Sequence, residues 1–328
     1  MISTSMRIFI TGVNSFLGAH LARQLLDQGH AVRGLIRAGS NDVLLQEMPA
    51  VERVAGDLLL PETWRDALAG CDALFHVAAS YTHDPDRIPH MEAVNVEGTR
   101  LVLEAALAAG MERIVHTSTI GTIGQPEDGS LATEDTPFNL PNPSAYVLSK
   151  RAGEQIALEL AAAGAPIVVV HPTAMLGPGD WRPTASGQKV LAFLHDRPLR
   201  YLPGGINWTS VEDVAAGMIL ALERGKPGRR YILGHRQGNL SEAQFVDLLA
   251  RASGKPAPRP REARWKRQLR RLLKTAPPAA QQSSPRGTSP QRLTCNPARA
   301  IEELGMPQSD LLAAARREVA WYRKMGMW

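Results

Sequence analysis

Residues 6–29, MRIFITGVNSFLGAHLARQLLDQG, decide the fold. MRIFIT is an apolar run of strand character. A turn, TGVNSFLG (Thr11–Gly18), follows it. Beyond the turn, apolar residues recur at helical spacing as far as Gly29, a helix stop. A glycine turn between a strand and a helix is where a dinucleotide pyrophosphate sits, because the helix N-terminus offers free N–H groups and a positive dipole end. The fingerprint for that role has three glycines: one for the tight turn, one for backbone approach to the phosphates, one for helix–strand packing. Gly12 and Gly18 fill the outer positions, and Ser15 stands in the middle. Taken alone, the stretch also reads as a plain strand–helix turn.

The alternation continues outward from it. HAVRGLIR, VERVAG, CDALFHVAA, MERIVHTST and APIVVVHP read as strands. PETWRDALAG, MEAVNVEGTRLVLEAALAAG and NPSAYVLSKRAGEQIALELAAAG read as the helices between them. This rhythm predicts an α/β fold, a doubly wound parallel sheet with helices on both faces. It loosens after residue 172. VEDVAAGMILALERG (211–225) is a further helix, RRYILG a short strand, and SEAQFVDLLARASG (241–254) a helix capped by Ser241 and stopped by Gly254. NPARAIEELG and SDLLAAARREVAWYRKMG read as two closing helices. Residues 1–172, joined by 211–235, are expected to form the dinucleotide-binding part. Residues 173–210 and 236–328 are expected to form a smaller, mostly helical substrate-binding region.

The composition, 44% apolar and 21% charged over 328 residues, fits an ordinary globular chain. No apolar run reaches the ~18 residues of a transmembrane helix. MISTSMRIFITG lacks a signal-peptide layout, and Cys71 and Cys295 form no spacing motif, so a cytoplasmic location is expected. No metal is expected either, because the histidines show no ligand spacing. The net charge of +5 is uneven: residues 255–292 hold eleven Lys/Arg against one acid, Glu262. The rest is therefore slightly acidic, which argues against nucleic acid as a partner. Within the basic segment, REARWKRQLRRLLK (261–274) is an amphipathic helix suited to an anionic membrane surface, an acidic partner or plain solvent. TAPPAAQQSSPRGTSPQ and the residue after it (275–292) read as a flexible linker.

Chemistry is concentrated in Tyr146-Val-Leu-Ser-Lys150. Residues four apart share a helix face, so Lys150 is expected beside the Tyr146 phenol, lowering its pKa toward neutrality for proton exchange with a substrate oxygen. A hydroxyl from HTSTIGTIG would complete the set. Arg37, at the end of the second strand, suits the 2′-phosphate of NADP, and no acid stands there for the NAD ribose. Arg33 is the weaker candidate. Asp57 could accept from the adenine amino group or simply serve the segment that follows it.

These residues resemble the extended short-chain dehydrogenases/reductases, in particular the dihydroflavonol-reductase-like, 3β-hydroxysteroid-dehydrogenase-like and hopanoid-associated sugar epimerase group. The likeness is carried by TGVNSFLG, AGDL, CDALFHVAA, VNVEGT (94–99), IVHTST, YVLSK, HPTAMLGPGD and SVEDVAAG, over residues 6–255. It implies a Rossmann-type fold and casts Tyr146 as general acid/base. Lys150 becomes its partner and a nicotinamide-ribose ligand. Thr119 supplies the hydroxyl that bonds the reacting oxygen, with Ser118 as fallback. Gly12, Ser15, Phe16, Leu17, Gly18, Arg37, Asp57, Leu58, Ala78, Ala79 and the Pro172–Met175 segment are implied to line the cofactor. Asn95 is implied to tie the long helix to a neighbouring loop. Two departures are Ser15 for glycine and Thr119 for the commoner serine. Ser15 is expected to face the pyrophosphate. A homodimer through helices 88–109 and 143–163 is implied as well.

The substrate is read from HPTAMLGPGD. It lacks the asparagine of nucleotide-sugar enzymes and presents Met175, which points to a hydrophobic small molecule. Tyr81, Trp181 and Trp208 are candidate pocket walls, or ordinary core and lid residues. The expected function is an NADP(H)-dependent oxidoreductase interconverting a carbonyl and a hydroxyl on a sterol-, terpenoid-, polyketide- or flavonoid-like molecule. NAD(H) is the second choice of cofactor. Arg182 and Lys189 keep open a nucleotide-sugar epimerase or dehydratase with tightly held NAD. A non-catalytic NADP-binding module is the third reading.

Overall fold

The computed structural model describes residues 5–256 and 292–328. The basic helix read at 261–274 and the linker at 275–292, Arg292 apart, lie outside the described residues. Seven strands form one parallel sheet: β1 (Arg7–Thr11), β2 (Ala31–Ile36), β3 (Glu52–Ala55), β4 (Ala73–His76), β5 (Arg113–Thr117), β6 (Ile167–Pro172) and β9 (Arg230–Leu233). Their order is β3-β2-β1-β4-β5-β6-β9. Every residue of β6, IVVVHP, is buried, as expected of a parallel strand covered on both faces. On one face lie α1 (Phe16–Asp27) and α5 (Val211–Arg224), which bury Leu21, Leu25, Val214 and Met218 against the sheet. On the other lie α2 (Ile88–Ala108) and α3 (Ala145–Ala162), burying Val102, Leu103, Ile156 and Ala157. Each such fully buried side chain stabilises the fold by on the order of 1.5–3 kcal/mol. The two long helices touch closely because Gly153 has no side chain: a Cβ there would come within 2.5 Å of the Asn95 carbonyl oxygen.

A second layer is built from β7 (Ala174–Leu176), β8 (Ile206–Ser210) and β10 (Asn239–Leu240). It packs with α4 (Ala185–Leu194), α6 (Glu242–Ser253) and α7 (Leu311–Lys324) around Val190, Phe193, Trp208, Phe245 and Tyr322. The α6 boundaries follow the sequence reading. Ser241 and Gln244 form a reciprocal capping box, and Gly254 takes the left-handed conformation.

Two readings need correction. PETWRDALAG does not form one helix but two short 3₁₀ turns, Pro61–Thr63 and Arg65–Leu68. Trp64 breaks the run: it takes φ −144°, buries its ring, and its indole N–H donates to the Asp57 carbonyl at 2.8 Å. NPARAIEELG winds mainly as a π-helical turn over Ala300–Leu304. Among the described residues no helix is long and apolar enough to cross a membrane.

Candidate active site

The strand order reverses direction between β1 and β4, and ligands of open α/β sheets bind at the carboxyl ends beside such a switch point. Gly12 leaves β1 at φ +69°, and a Cβ on it would come within 2.9 Å of the Ala78 backbone. A Cβ on Gly18 would come within 2.2 Å of the Gly12 carbonyl oxygen. Both outer glycines are therefore demanded by close approach. The Ser15 Oγ accepts from the Gly18 amide at 3.0 Å and caps α1, which leaves its own proton to donate. The serine thus replaces a glycine's backbone freedom with a helix cap. Phe16 and Leu17 occupy the first two helical positions, whose amides have no carbonyl partner within a helix. The turn fits a dinucleotide phosphate.

The neighbouring loops are held to this turn. Asn14 Nδ2 donates to Ser40 Oγ at 3.0 Å and to the Asn41 carbonyl at 2.9 Å, and Ser40 Oγ donates to the Arg37 carbonyl at 2.6 Å. Arg37 is exposed. Arg33 is committed elsewhere, to Glu52 at 2.8 Å and the Ala67 carbonyl at 2.6 Å, which leaves Arg37 as the strand-end cation with a free guanidinium among the described residues. Asp57 is half-buried, and one carboxyl oxygen accepts from the Leu59 amide at 2.9 Å. Leu58 is buried beside Gly98 of α2. Ala79 is exposed beyond Ala78 at the end of β4. Asn95 joins the backbone of Ser80 through both its amide atoms, at 2.8 and 2.9 Å, tying α2 to that loop.

Ser144 caps α3, and the face of the first turns points inward. Lys150 is buried, and its Nζ donates to the Thr117 carbonyl at 2.7 Å. Burial lowers the Lys150 pKa to about 8, while Glu154 opposes that shift. Where the spacing led to an expected lowering, burial pushes Tyr146 up to about 12, with Tyr81 adding to the rise. Desolvation disfavours the charged phenolate. The Tyr81 ring stands edge-on to Tyr146, centroids 4.8 Å apart, and its hydroxyl pairs with His83 Nε2 at 2.7 Å.

The two candidate hydroxyls separate clearly. Ser118 is buried and donates to Glu154 Oε2 at 2.6 Å. Thr119 is half-buried and its Oγ1 accepts only from the Gly121 amide, at 3.3 Å, keeping its own proton to donate. Pro172 ends β6, buried, and Met175 in β7 is half-buried.

Of the expected pocket walls, Tyr81 meets the site and Trp181 is half-buried after Asp180. Trp208 is corrected to a core residue: it is 0% exposed, stacks on Phe245 with centroids 4.1 Å apart, and its indole donates to Tyr201 Oη at 2.8 Å. Sequence reasoning missed Glu154, although its place four residues after Lys150 was visible. It also missed that β4, β5 and β6 each bring a fully buried histidine (His76, His116 and His171) to the sheet edge beneath the site. His76 bonds Thr11 and Thr99 and is pushed down to about 3 by burial and Lys150. No group of three side chains able to hold a metal is present among the described residues.

A model of the NAD dependent epimerase/dehydratase family matches residues 8–234, which spans the glycine turn, Thr119, Tyr146 and Lys150. The chain belongs to that family. Two relatives of the family member extend over nearly the full length. One is a Synechocystis sp. protein provisionally named a dihydroflavonol 4-reductase, 37% identical over 97% of this chain and 95% of its own. The other is sterol demethylase protein B of Methylococcus capsulatus, 33% identical over 98% of this chain and all of its own. Among solved structures, gox2253 superposes with a TM-score of 0.83 at 32% identity, covering 98% of this chain and 99% of that one. This family member is an NAD(P)-dependent enzyme with the Rossmann-like fold of its relatives.

Proposed function

We propose that the protein is an NADP(H)-dependent oxidoreductase that interconverts a carbonyl and a hydroxyl on a hydrophobic small molecule. The observation that carries the reading is the geometry around Tyr146. Tyr146 and Lys150 share a face of α3, Lys150 holds the carbonyl of Thr117 two residues before Thr119, Thr119 keeps a hydroxyl proton to donate, and the Tyr81 ring stands against Tyr146. Gly12, Phe16, Leu17 and Gly18 would hold the pyrophosphate, Arg37 the 2′-phosphate, and Lys150 the nicotinamide ribose. When bound, the nicotinamide supplies or accepts the hydride. Tyr146 gives its phenolic proton to the oxygen of the reacting carbonyl, and Thr119 donates a hydrogen bond to that same oxygen. A phenol held protonated suits the reductive direction.

The half-buried Met175 and the edge-on Tyr81–Tyr146 pair supply apolar and aromatic walls. The names of the two relatives, a flavonol reductase and a sterol-processing protein, support an oily substrate over a sugar diphosphate.

The test is a panel of sterol, terpenoid and flavonoid ketones offered with NADPH carrying deuterium at the transferable position. The reading predicts deuterium at the former carbonyl carbon and net NADPH consumption. Stoichiometric NAD(H) retained on purification, with no net consumption and turnover of a nucleotide sugar, would replace it with the epimerase reading.

A further inference from the structure

Tyr146, Lys150 and Glu154 follow one another at four-residue intervals on the inner face of α3. The first two belong to the reaction proposed above. Glu154 is 2% exposed and touches no solvent-facing group of the site. A buried carboxylate is costly, and stability alone is commonly served as well by an apolar side chain of similar size. What Glu154 contacts therefore needs a reason.

Its Oε2 accepts from Ser118 Oγ at 2.6 Å and from Thr122 Oγ1 at 2.5 Å. These two hydroxyls bracket Thr119. Thr122 Oγ1 also lies 2.9 Å from the Thr119 carbonyl oxygen. One turn earlier on the helix, Lys150 holds the Thr117 carbonyl at 2.7 Å. The segment 117–122 is thus gripped by α3 at three points, and Thr119 is the residue left between them with a hydroxyl to offer.

The charges around the carboxylate come from each element packed on it. His171 of β6 brings Nε2 to 3.1 Å, and Arg230 of β9 brings Nη1 to 3.4 Å. His116 of β5 lies close by with neither ring nitrogen bonded, and burial together with Lys150 holds it neutral. His76 of β4 feels Lys150 in the same way. Glu134, bonded to the Ile232 amide and 3.6 Å from Arg299, feels His171 electrostatically. Burial alone would raise the Glu154 pKa, but the nearby His171, then the Ser118 and Thr122 hydroxyls, hold it below the ordinary carboxylate range. In turn Glu154 opposes the desolvation that weakens the Lys150 ammonium.

We propose that Glu154 is a positioning residue: its carboxylate ties down the turn that presents Thr119 and lends its negative charge to the Lys150 ammonium. This rests on the assignment of Thr119, Tyr146 and Lys150 to proton transfer. The two halves of the role are separable. Glu154→Gln keeps the reach and loses the charge. Glu154→Asp keeps the charge and loses the reach to both hydroxyls.

The experiment has one arm without turnover. In the cofactor-free protein, the Lys150 ammonium is titrated by carbon NMR of labelled lysines, its resonance identified by its loss in Lys150→Arg. Glu154→Gln lowers the Lys150 midpoint by about one pH unit, and Glu154→Asp leaves it in place. In the turnover arm, Glu154→Gln and Glu154→Asp each lower kcat about tenfold with little change in KM, and the alkaline limb of the Glu154→Gln profile moves down with the NMR midpoint. If Glu154→Gln does not fold, the Ser118→Ala/Thr122→Val pair carries this arm: kcat falls and the Lys150 midpoint stays. An unchanged midpoint in Glu154→Gln, or lost stability with full kcat, overturns the proposal. Failure of the site assignment reads differently, as full turnover in Tyr146→Phe, and the NMR arm still decides whether Glu154 is the lysine's counter-charge.

Discussion

Glu154 and Glu318 are both buried acids, and they keep opposite company. Glu154, under the sheet edge, faces His171 and Arg230 and accepts from two hydroxyls. Glu318, on α7 in the second layer, accepts from the Gly177 amide at 3.1 Å and faces a second buried carboxyl, Asp180. Burial and that like charge push Glu318 well above the ordinary range, and burial raises Asp180 to about 6. One half of the molecule stabilises a preformed anion beside its reactive residues. In the other, two buried carboxyls face each other in the second layer, and burial favours their protonated forms. The conspicuous aromatics divide in the same way: Tyr146 stands at the open edge against Tyr81, whereas Trp208 is sealed on Phe245. A buried ionisable group marks function when its partners compensate its charge and also touch the reacting residues.

Thr119→Val is the strongest challenge to the first half. Loss of a hydroxyl left free to donate is expected to lower kcat about 100-fold, whereas Ser118→Ala has a smaller effect. Steady-state kinetics on the substrate found in the carbonyl panel checks this, and equal losses would erase the distinction between the hydroxyls.

Glu318→Gln sharpens the second half. A folded-state pKa above the unfolded value contributes stability below the unfolded pKa of about 4.5, and that contribution is lost as pH rises through the folded pKa. Wild type should therefore weaken from pH 4.5 upward through this acid pair. Glu318→Gln, which carries no proton to lose, should flatten the curve and raise Tm at pH 8 by about 2–4 °C. Thermal melts across pH read this directly. A variant destabilised at high pH but not at low pH would show that the carboxyl is needed ionised.

The smallest effect concerns the cofactor. Arg37→Ser is expected to weaken NADPH about tenfold while leaving NADH nearly unchanged, since only the 2′-phosphate loses its partner. Titration calorimetry with both cofactors separates the outcomes, and equal weakening would assign Arg37 to something other than the phosphate.

Much of this was legible in the sequence, for identifiable reasons. Strands buried on both faces leave apolar runs, and caps such as Ser144, Ser241 and Gly254 punctuate the helices. Tyr146 and Lys150 declare a shared helix face by their spacing. Glu154 extends that spacing by one more turn but carries no motif of its own, and its meaning depends on Ser118, Thr122 and His171 arriving from two strands. The segment around Trp64 looked helical because its spacing is helical, and a single buried indole overrides it. Trp208 could not be told from a pocket wall, because its partners Phe245 and Tyr201 are set only by tertiary packing. The direction of the Tyr146 shift was not legible either, since desolvation and the Tyr81 neighbour are set by tertiary packing.

The most direct test of the central claim is the turnover of Tyr146→Phe in the deuteride-transfer reaction, measured beside its NADPH affinity. The phenylalanine keeps the ring against Tyr81 and removes only the proton donor. The account predicts cofactor binding within about twofold of wild type and kcat lower by about 1,000-fold. Full turnover in Tyr146→Phe, with binding intact, would contradict it.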